Sequence, residues 1–469
     1  MSFNIVSDQA TSRGLRIKKH EYDHSRHFYI AHLRKELQKG KRYILSMEFL
    51  GYLNNKLHGF YRATYKDVYG NIRNAAATQF QPTAARKAFP CFDEPALKAT
   101  FEISLARESW MTTLSNMPIA ETVPVEGQEG WMWDRYEKSV PMSTYLVAFV
   151  VSDYVHINST ENDRVDFRVW ARQETIDQAE YANEIGPKIL CFFEDYFNLS
   201  YPLPKMDMIA LTDLSFGGME NWGLITFRES FLLYDPQVST PADKAVIANI
   251  LSHELAHQWF GNLVTPKWWD DLWLNEGFAT YISYLGVDHV EPTWKAMEEI
   301  VFEIVHRVFN LDSLESSHRI NIPASNPDEI FEVFDDISYN KGASIIRMMT
   351  HYLTEPTFRK GLNNYLKAFT YNSSVQDDLW KHLTLAAHED GILPQDVTVK
   401  MIMDTWTLQM GYPVVKVTRS PDGTSATLTR RERKLFQHHG LQVVGASDLH
   451  DPERGQLQPD SSQFMDEGL

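Results

Sequence analysis

Two histidines and a glutamate in Ile250-Leu-Ser-His-Glu-Leu-Ala-His-Gln-Trp-Phe260 have the types and spacing that metal chemistry needs. The stretch reads as helix, so His253 and His257, four apart, emerge on one face within reach of a single ion. Neutral imidazoles at that spacing suit Zn²⁺. Glu254 lies one step round the helix, where it can take a proton from a water that the ion polarises. Two histidines of an amphipathic helix beside a surface glutamate would spell the same motif by chance. The next segment, Asp271-Leu-Trp-Leu-Asn-Glu-Gly-Phe-Ala279, narrows that choice, because Glu276 follows His257 after eighteen intervening residues. A helical hairpin of that size lays a second helix antiparallel to the first and brings a third ligand. Two His and one Glu leave one position open for water, the arrangement of a catalytic zinc, one per chain.

Two further clusters are less telling by themselves. In Phe216-Gly-Gly-Met-Glu-Asn-Trp-Gly223 the glycines let backbone approach a ligand and Glu220 then presents a carboxylate, but a tight turn before an edge strand would look the same. Tyr339, in Asp336-Ile-Ser-Tyr-Asn-Lys-Gly342, is bland by composition, since most tyrosines are half-buried packing residues.

The elements that must position these residues change character along the chain. Up to about residue 170 short β-rich segments dominate, among them Tyr43–Leu50, Thr100–Leu105, Tyr145–Val151 and Val165–Trp170. They predict an antiparallel β domain. From about Glu174 helical periodicity takes over, at 176–197, 242–260, 272–286, 293–309, 340–353, 356–369 and 376–389, with strands at Met206–Thr212 and Leu224–Phe227. Strands return at Val414–Thr418 and Thr424–Thr429 around Pro421-Asp-Gly, a hairpin turn. From Arg430 the chain turns polar, and His438 and His439 lack partners at metal spacing.

Composition bounds the rest. The 469 residues carry 45 Lys+Arg against 62 Asp+Glu, a net charge of −17, which argues against a nucleic-acid binder. At 43% apolar and 13% aromatic residues, a large core is available. Cys91 and Cys191 allow one bridge or two unbridged thiols, with the thiols ahead. No apolar run is long enough for a signal peptide or membrane span, so the chain as written is expected in the cytoplasm. Asn158, Asn198 and Asn372 head glycosylation triplets, a weak hint of a secreted or tethered relative.

Gly217-Gly-Met-Glu-Asn221, the His-Glu-x-x-His helix with its distant Glu276, and Trp268-Trp-Asp-Asp-Leu-Trp-Leu-Asn-Glu-Gly277 together resemble the gluzincin aminopeptidases of the aminopeptidase N type. Thr78-Gln-Phe-Gln-Pro82, Phe89-Pro-Cys-Phe-Asp-Glu-Pro95, Tyr339-Asn-Lys-Gly-Ala343 and Thr405-Trp-Thr-Leu-Gln-Met-Gly-Tyr-Pro413 belong to the same pattern, which runs from about residue 60 to 430. The resemblance implies an α+β multidomain chain: a partial N-terminal β domain over 1–155, a thermolysin-like catalytic domain over 156–410, the first strands of a β-sandwich over 411–430, and a disordered tail over 431–469. It implies that His253, His257 and Glu276 hold zinc, that Glu254 is the general base and proton carrier, and that Tyr339 donates to the oxyanion. Glu220 would bind the free amino group of a peptide substrate, with Gln81 lining the first side-chain pocket and helping to hold the amine, Gly217, Gly218 and Met219 lining the same site, and Asn221 a further substrate-binding residue. A neutral Gln81 resembles enzymes with broad preference for neutral residues. Gly218 stands where many relatives carry Ala, a change expected to matter little. Relatives are often outside the cell or on the plasma membrane, and some form homodimers.

The pattern departs from the family at both ends. The usual chain is about twice as long, residues 1–55 align poorly, and the helical domain that caps the active site is expected to be absent after the two sandwich strands. Exposed sheet edges and apolar faces are expected to follow. Two readings result: a zinc aminopeptidase removing single N-terminal residues, or a truncated, poorly active chain that binds peptides or a partner. A zinc endopeptidase would share the metal site but lack Glu220 in its glycine-rich setting.

Overall fold

The computed structural model describes residues 2–7, 16–160 and 164–431. The polar tail with His438 and His439 lies outside them, apart from residue 431.

The N-terminal part is antiparallel β structure. Strands Gly59–Lys66, Ile72–Gln79, Phe149–Ser152 and Thr112–Ser115 form a four-stranded sheet in that spatial order. Ser104–Glu108, Trp131–Tyr136 and Ile119–Pro124 form a three-stranded one. Before them come a hairpin of Ile17–Asp23 with Phe28–Leu33 and a ribbon of Ser2–Ser7 with Tyr43–Glu48. The predicted strand at Tyr145–Val151 is half correct: Thr144–Leu146 coil into a 3₁₀ turn that buries Tyr145 and Leu146, and the strand starts at Phe149. Tyr145 then spends its hydroxyl on the Gly261 carbonyl at 3.0 Å, a tie that a flat strand would not reach.

A mixed five-stranded sheet introduces the second part. Asp166–Ala171, Lys205–Leu211 and Leu224–Arg228 run parallel, Val155–Asn158 closes one edge and the two-residue strand Gly218–Met219 the other, both antiparallel. All seven residues of Lys205–Leu211 are buried, as a central strand covered on both faces must be. Helices α1 (Glu180–Phe197) and α2 (Pro241–Ala256) pack on this sheet, and α3 (Trp273–Val290) packs against both helices. They are followed by α4 (Ala296–Ile300), α5 (Arg307–Asp312), α6 (Pro327–Glu332), α7 (Gly342–Leu353), α8 (Glu355–Ala368), α9 (Gln376–Glu389) and α10 (Val399–Thr407). The single helix expected over 293–309 is broken into a 3₁₀ turn, α4, a π-helical turn at Val301–His306 and α5. Fully buried Trp222, Trp259, Trp269, Trp273 and Trp380 anchor the core among these elements.

The hairpin Val414–Arg419 with Ala426–Arg431 follows, turning at Ser420–Ser425 as the Pro-Asp-Gly signal predicts. Cys91 and Cys191 form no disulfide. No helix among the described residues is long and apolar enough to cross a membrane. Mixed α+β architecture, β structure first and helices after, is therefore the fold.

Candidate active site

Helix α2 starts where its sequence says it should. Thr240 Oγ1 accepts from the Asp243 amide at 3.2 Å, Asp243 returns a carboxylate to the Thr240 amide at 2.7 Å, and Pro241 occupies the first turn. The helix ends at His257, and the chain folds back through Gly261 at φ +124°. Helix α3 returns antiparallel against α2: Ser252 Oγ donates to the Ser283 carbonyl at 2.9 Å midway along α3, and His257 meets Glu276 where α2 stops and α3 starts.

Where α2 stops and α3 starts, the three predicted ligands converge. His253 Nε2 and His257 Nε2 lie 3.0 Å apart, and Glu276 Oε2 is 3.3 Å from the first and 3.1 Å from the second. The His257 Nδ1–H donates to the Phe260 carbonyl at 2.9 Å, which turns the Nε2 lone pair toward the triangle. Two imidazole nitrogens and one carboxylate oxygen aimed at a common point are the donor set of a three-ligand transition-metal site. Electrostatics agree. Burial disfavours charge on His257, yet Glu276 and then Glu220 overcome it and push its pKa up to about 10. Burial likewise opposes ionisation of Glu276, but His257 and His253 hold it down to about 2. Enclosed carboxylates thus impose a demand for positive charge at this point, which a divalent cation meets. The residues fit a metal ion.

Glu254 faces the same space. Its Oε2 is buried without a hydrogen-bond partner among the described residues, and burial raises its pKa well above the carboxylate range. One oxygen each of Glu220 and Glu254 and a nitrogen of His257 all lie within 4.8 Å of one another. Glu220 is carried past the edge strand Gly218–Met219, and burial, offset in part by His257, lifts it to about 7. Gln81 Nε2, from the β domain, donates to Glu220 Oε1 at 3.0 Å. Met219 is buried beside them with its sulfur facing Gln79 Nε2 at 3.3 Å. Gly217 packs under Phe231, whose ring would stand 3.3 Å from an added Cβ.

One expectation needs correction here. A Cβ on Gly218 would fall 2.4 Å from Glu254 Oε1, so Gly218 is not interchangeable with Ala unless Glu254 moves. Asn221 is fully enclosed, with Nδ2 donating to Thr226 Oγ1 at 3.3 Å. Its Oδ1 is buried without a hydrogen-bond partner among the described residues.

Tyr339 arrives from a π-helical turn, Ile337–Lys341, immediately before α7. Its ring lies parallel to that of His253, with centroids 6.1 Å apart and planes at 7°. Burial and then the charge of Glu276 hold its phenol well above the usual range, so it keeps its proton. Behind it opens a cavity of about 510 Å³ lined in part by Tyr284, Glu303, Arg307 and Phe334.

Sequence reasoning missed the residues that hold this constellation. Asn262 Nδ2 donates to the Glu220 carbonyl at 2.8 Å and to Gln258 Oε1 at 3.2 Å. Lys98 reaches the carbonyls of Asn262 and Leu263 at 3.1 and 3.2 Å, and burial brings its pKa down to about 7. Gly261-Asn262 is a turn signal directly after the histidine helix and could have marked Asn262. Nothing local marks Lys98, whose partners lie more than 160 residues away.

Fold and site define a two-part hydrolase-like architecture with a His-His-Glu centre, and comparison with known proteins makes the class specific. Residues 1–146 match the peptidase M1 N-terminal domain and residues 181–406 match the peptidase family M1 domain. The chain belongs to peptidase family M1. Over 411 residues it is 46% identical to aminopeptidase N of Bos taurus, covering 86% of this chain and 42% of that protein. It is 45% identical to aminopeptidase N of Homo sapiens over 422 residues, 88% of this chain and 43% of that one. Glutamyl aminopeptidase of Sus scrofa is 48% identical over 375 residues, 80% and 39% of the two chains. The chain thus spans about two fifths of the length of these relatives. The family match also reaches residue 1, earlier than the expected start near 60. That first stretch consists of short strands without a diagnostic motif, so its kinship is invisible to motif reading.

Proposed function

We propose that this chain is a zinc-dependent aminopeptidase acting on peptides with a free N-terminus. One observation carries the reading: a second buried carboxylate, Glu220, stands beside the His253–His257–Glu276 centre and within reach of Glu254. A metal centre alone would serve any peptide hydrolase. A carboxylate anchored next to it, with Gln81 holding one oxygen, suits a substrate ammonium and limits the cut to the first residue. Zinc held by His253, His257 and Glu276 would supply Lewis acidity to water and the scissile carbonyl, together with the positive charge these carboxylates demand.

The chain's own residues supply the remainder. Glu254, enclosed and without a hydrogen bond on Oε2, would be kept ionised by the charge of a cation held beside it, against the burial that raises its pKa; as the carboxylate it takes the proton of the attacking water and passes it to the leaving nitrogen. Tyr339, protonated and parallel to His253, donates its hydroxyl proton to the carbonyl oxygen as negative charge grows there. Met219 and Gln81 border the position of the first side chain, and neither carries a charge, which supports a preference for neutral residues. The same reading divides the chain near residue 155, where the mixed sheet begins, and near 410, where the last hairpin is entered; the M1 domain match over 181–406 supports it.

The test is hydrolysis of alanyl- and leucyl-amide reporters by the purified chain, alongside N-acetylated versions of the same reporters. Activity on the free amines alone, lost to a chelator and restored by zinc, is expected. Equal cleavage of acetylated substrates would remove Glu220 as an amine anchor, and no activity in a zinc-loaded sample would remove the catalytic reading.

A further inference from the structure

A π-helical turn has an extra residue in its hydrogen-bonded ring and is sparsely populated unless its surroundings hold it. The turn that bears Tyr339 is held at both ends by ionic groups. At its start Asp335 Oδ1 accepts from the amides of Ile337 and Ser338 at 3.0 and 3.1 Å, and the Asp335 carbonyl accepts from the Tyr339 amide at 3.0 Å. At its end Lys341 Nζ lies 2.8 Å from Asp312 Oδ2, with the two side chains 4% and 2% exposed.

This second pair reaches beyond the turn. Lys341 Nζ also donates to the Gly411 carbonyl at 3.0 Å, and the Gly411 amide donates to Asp312 Oδ1 at 2.8 Å. Ser317 Oγ donates to the same Oδ1 at 2.6 Å. One residue on, the Tyr412 ring stacks on Phe309 of α5 with centroids 4.5 Å apart, and its hydroxyl donates to the Phe309 carbonyl at 3.2 Å. Gly411 adopts φ +76°, a left-handed conformation, as it closes on the pair. The last residue of the tyrosine-bearing turn is thereby fastened to the point where the chain leaves α10 for the final hairpin.

A buried ion pair is a poor source of stability, because the desolvation of both charges offsets most of their attraction, and apolar residues of similar size often do as well. What such a pair provides is a fixed geometry. We propose that Asp312 and Lys341 are positioning residues for Tyr339, fixing its hydroxyl for donation to the substrate carbonyl and coupling it to the segment at Gly411. The inference rests on the catalytic role assigned above to Tyr339.

The experiment compares Lys341→Met and Asp312→Asn, each alone and each combined with Tyr339→Phe. It measures kcat and KM on leucyl-amide, metal content, and hydrogen exchange of the peptide spanning 337–341. Each single change should lower kcat about 10- to 100-fold while KM and metal content hold. In the Tyr339→Phe background the same change should cost less than about twofold, since its effect passes through the missing hydroxyl. Exchange over 337–341 should quicken while peptides from α3 stay unchanged. An equal fall in both backgrounds, or unchanged exchange, overturns the proposal. If Lys341→Met does not fold, Asp312→Asn, nearly isosteric, decides alone. If the unaltered chain has no activity, the reading of Tyr339 as catalytic fails, and the exchange data still decide whether the pair holds the turn.

Discussion

Glu254 occupies the most demanding environment in the site: buried, with one oxygen unpartnered, and pressed against the bare backbone of Gly218. Its carboxyl lies outside the metal triangle, so Glu254→Gln should leave metal content intact while lowering kcat about 10²- to 10⁴-fold, checked by metal analysis and turnover on one sample. Retained turnover would remove it from the mechanism. Glu220 has a separable task. Glu220→Ala should raise KM for free-amine substrates far more than it disturbs metal binding, and unchanged kinetics on those substrates would contradict the anchor. Tyr339→Phe should lower kcat about 10²- to 10³-fold, on the scale of losing one oxyanion donor, with metal retained. A parallel fall in metal content would make the phenol structural.

The packing of whole elements sets these residues, and the crossing of α3 with α7 shows how. Gly277, next to the proposed ligand Glu276, meets Gly342 so closely that an added Cβ would sit 2.9 Å from the Gly342 backbone. Gly277→Ala must therefore separate the two helices, costing about 1–3 kcal/mol and displacing Glu276. Thermal unfolding and zinc affinity should both fall; an unchanged affinity would show that α3 shifts without its ligand. The turn bearing Tyr339 carries a pH signature. His318 Nε2 donates to Asp335 Oδ2 at 2.6 Å, and this bond raises the His318 pKa, against burial and the opposing charge of Lys341. A raised histidine pKa means stabilisation that is complete below the unfolded value, near 6.5, and lost as pH rises through the folded one. The melting temperature should decline across that window, and His318→Gln should flatten the decline.

On the scale of the whole molecule, the apolar surface of the final hairpin stands out. Val415, Val417 and Leu428 are each more than half exposed, on a two-stranded ribbon whose outer edges pair with nothing among the described residues. Open edges and apolar faces favour association. Sedimentation should show association that grows with concentration, reduced by Val415→Lys with Val417→Lys; identical profiles would clear the hairpin of that role.

What the sequence determined by itself was local: the i, i+4 histidines, the glutamate between them, the returning Glu276, and the change from strands to helices. These depend on helical periodicity and a short hairpin, which a chain carries in its spacing. The early strands were legible only as β character, and their kinship was not, because short alternating segments look alike in many folds. Tertiary structure decided everything that joins distant segments. It placed Gln81 on Glu220 across 139 residues, enclosed Asn221, set Gly218 against Glu254, and broke the helix expected over 293–309 into α and π turns. It also joined Lys341 to Asp312 and Gly411. Such contacts depend on how whole elements cross and register, and an error of one residue in that register would move a side chain to another face.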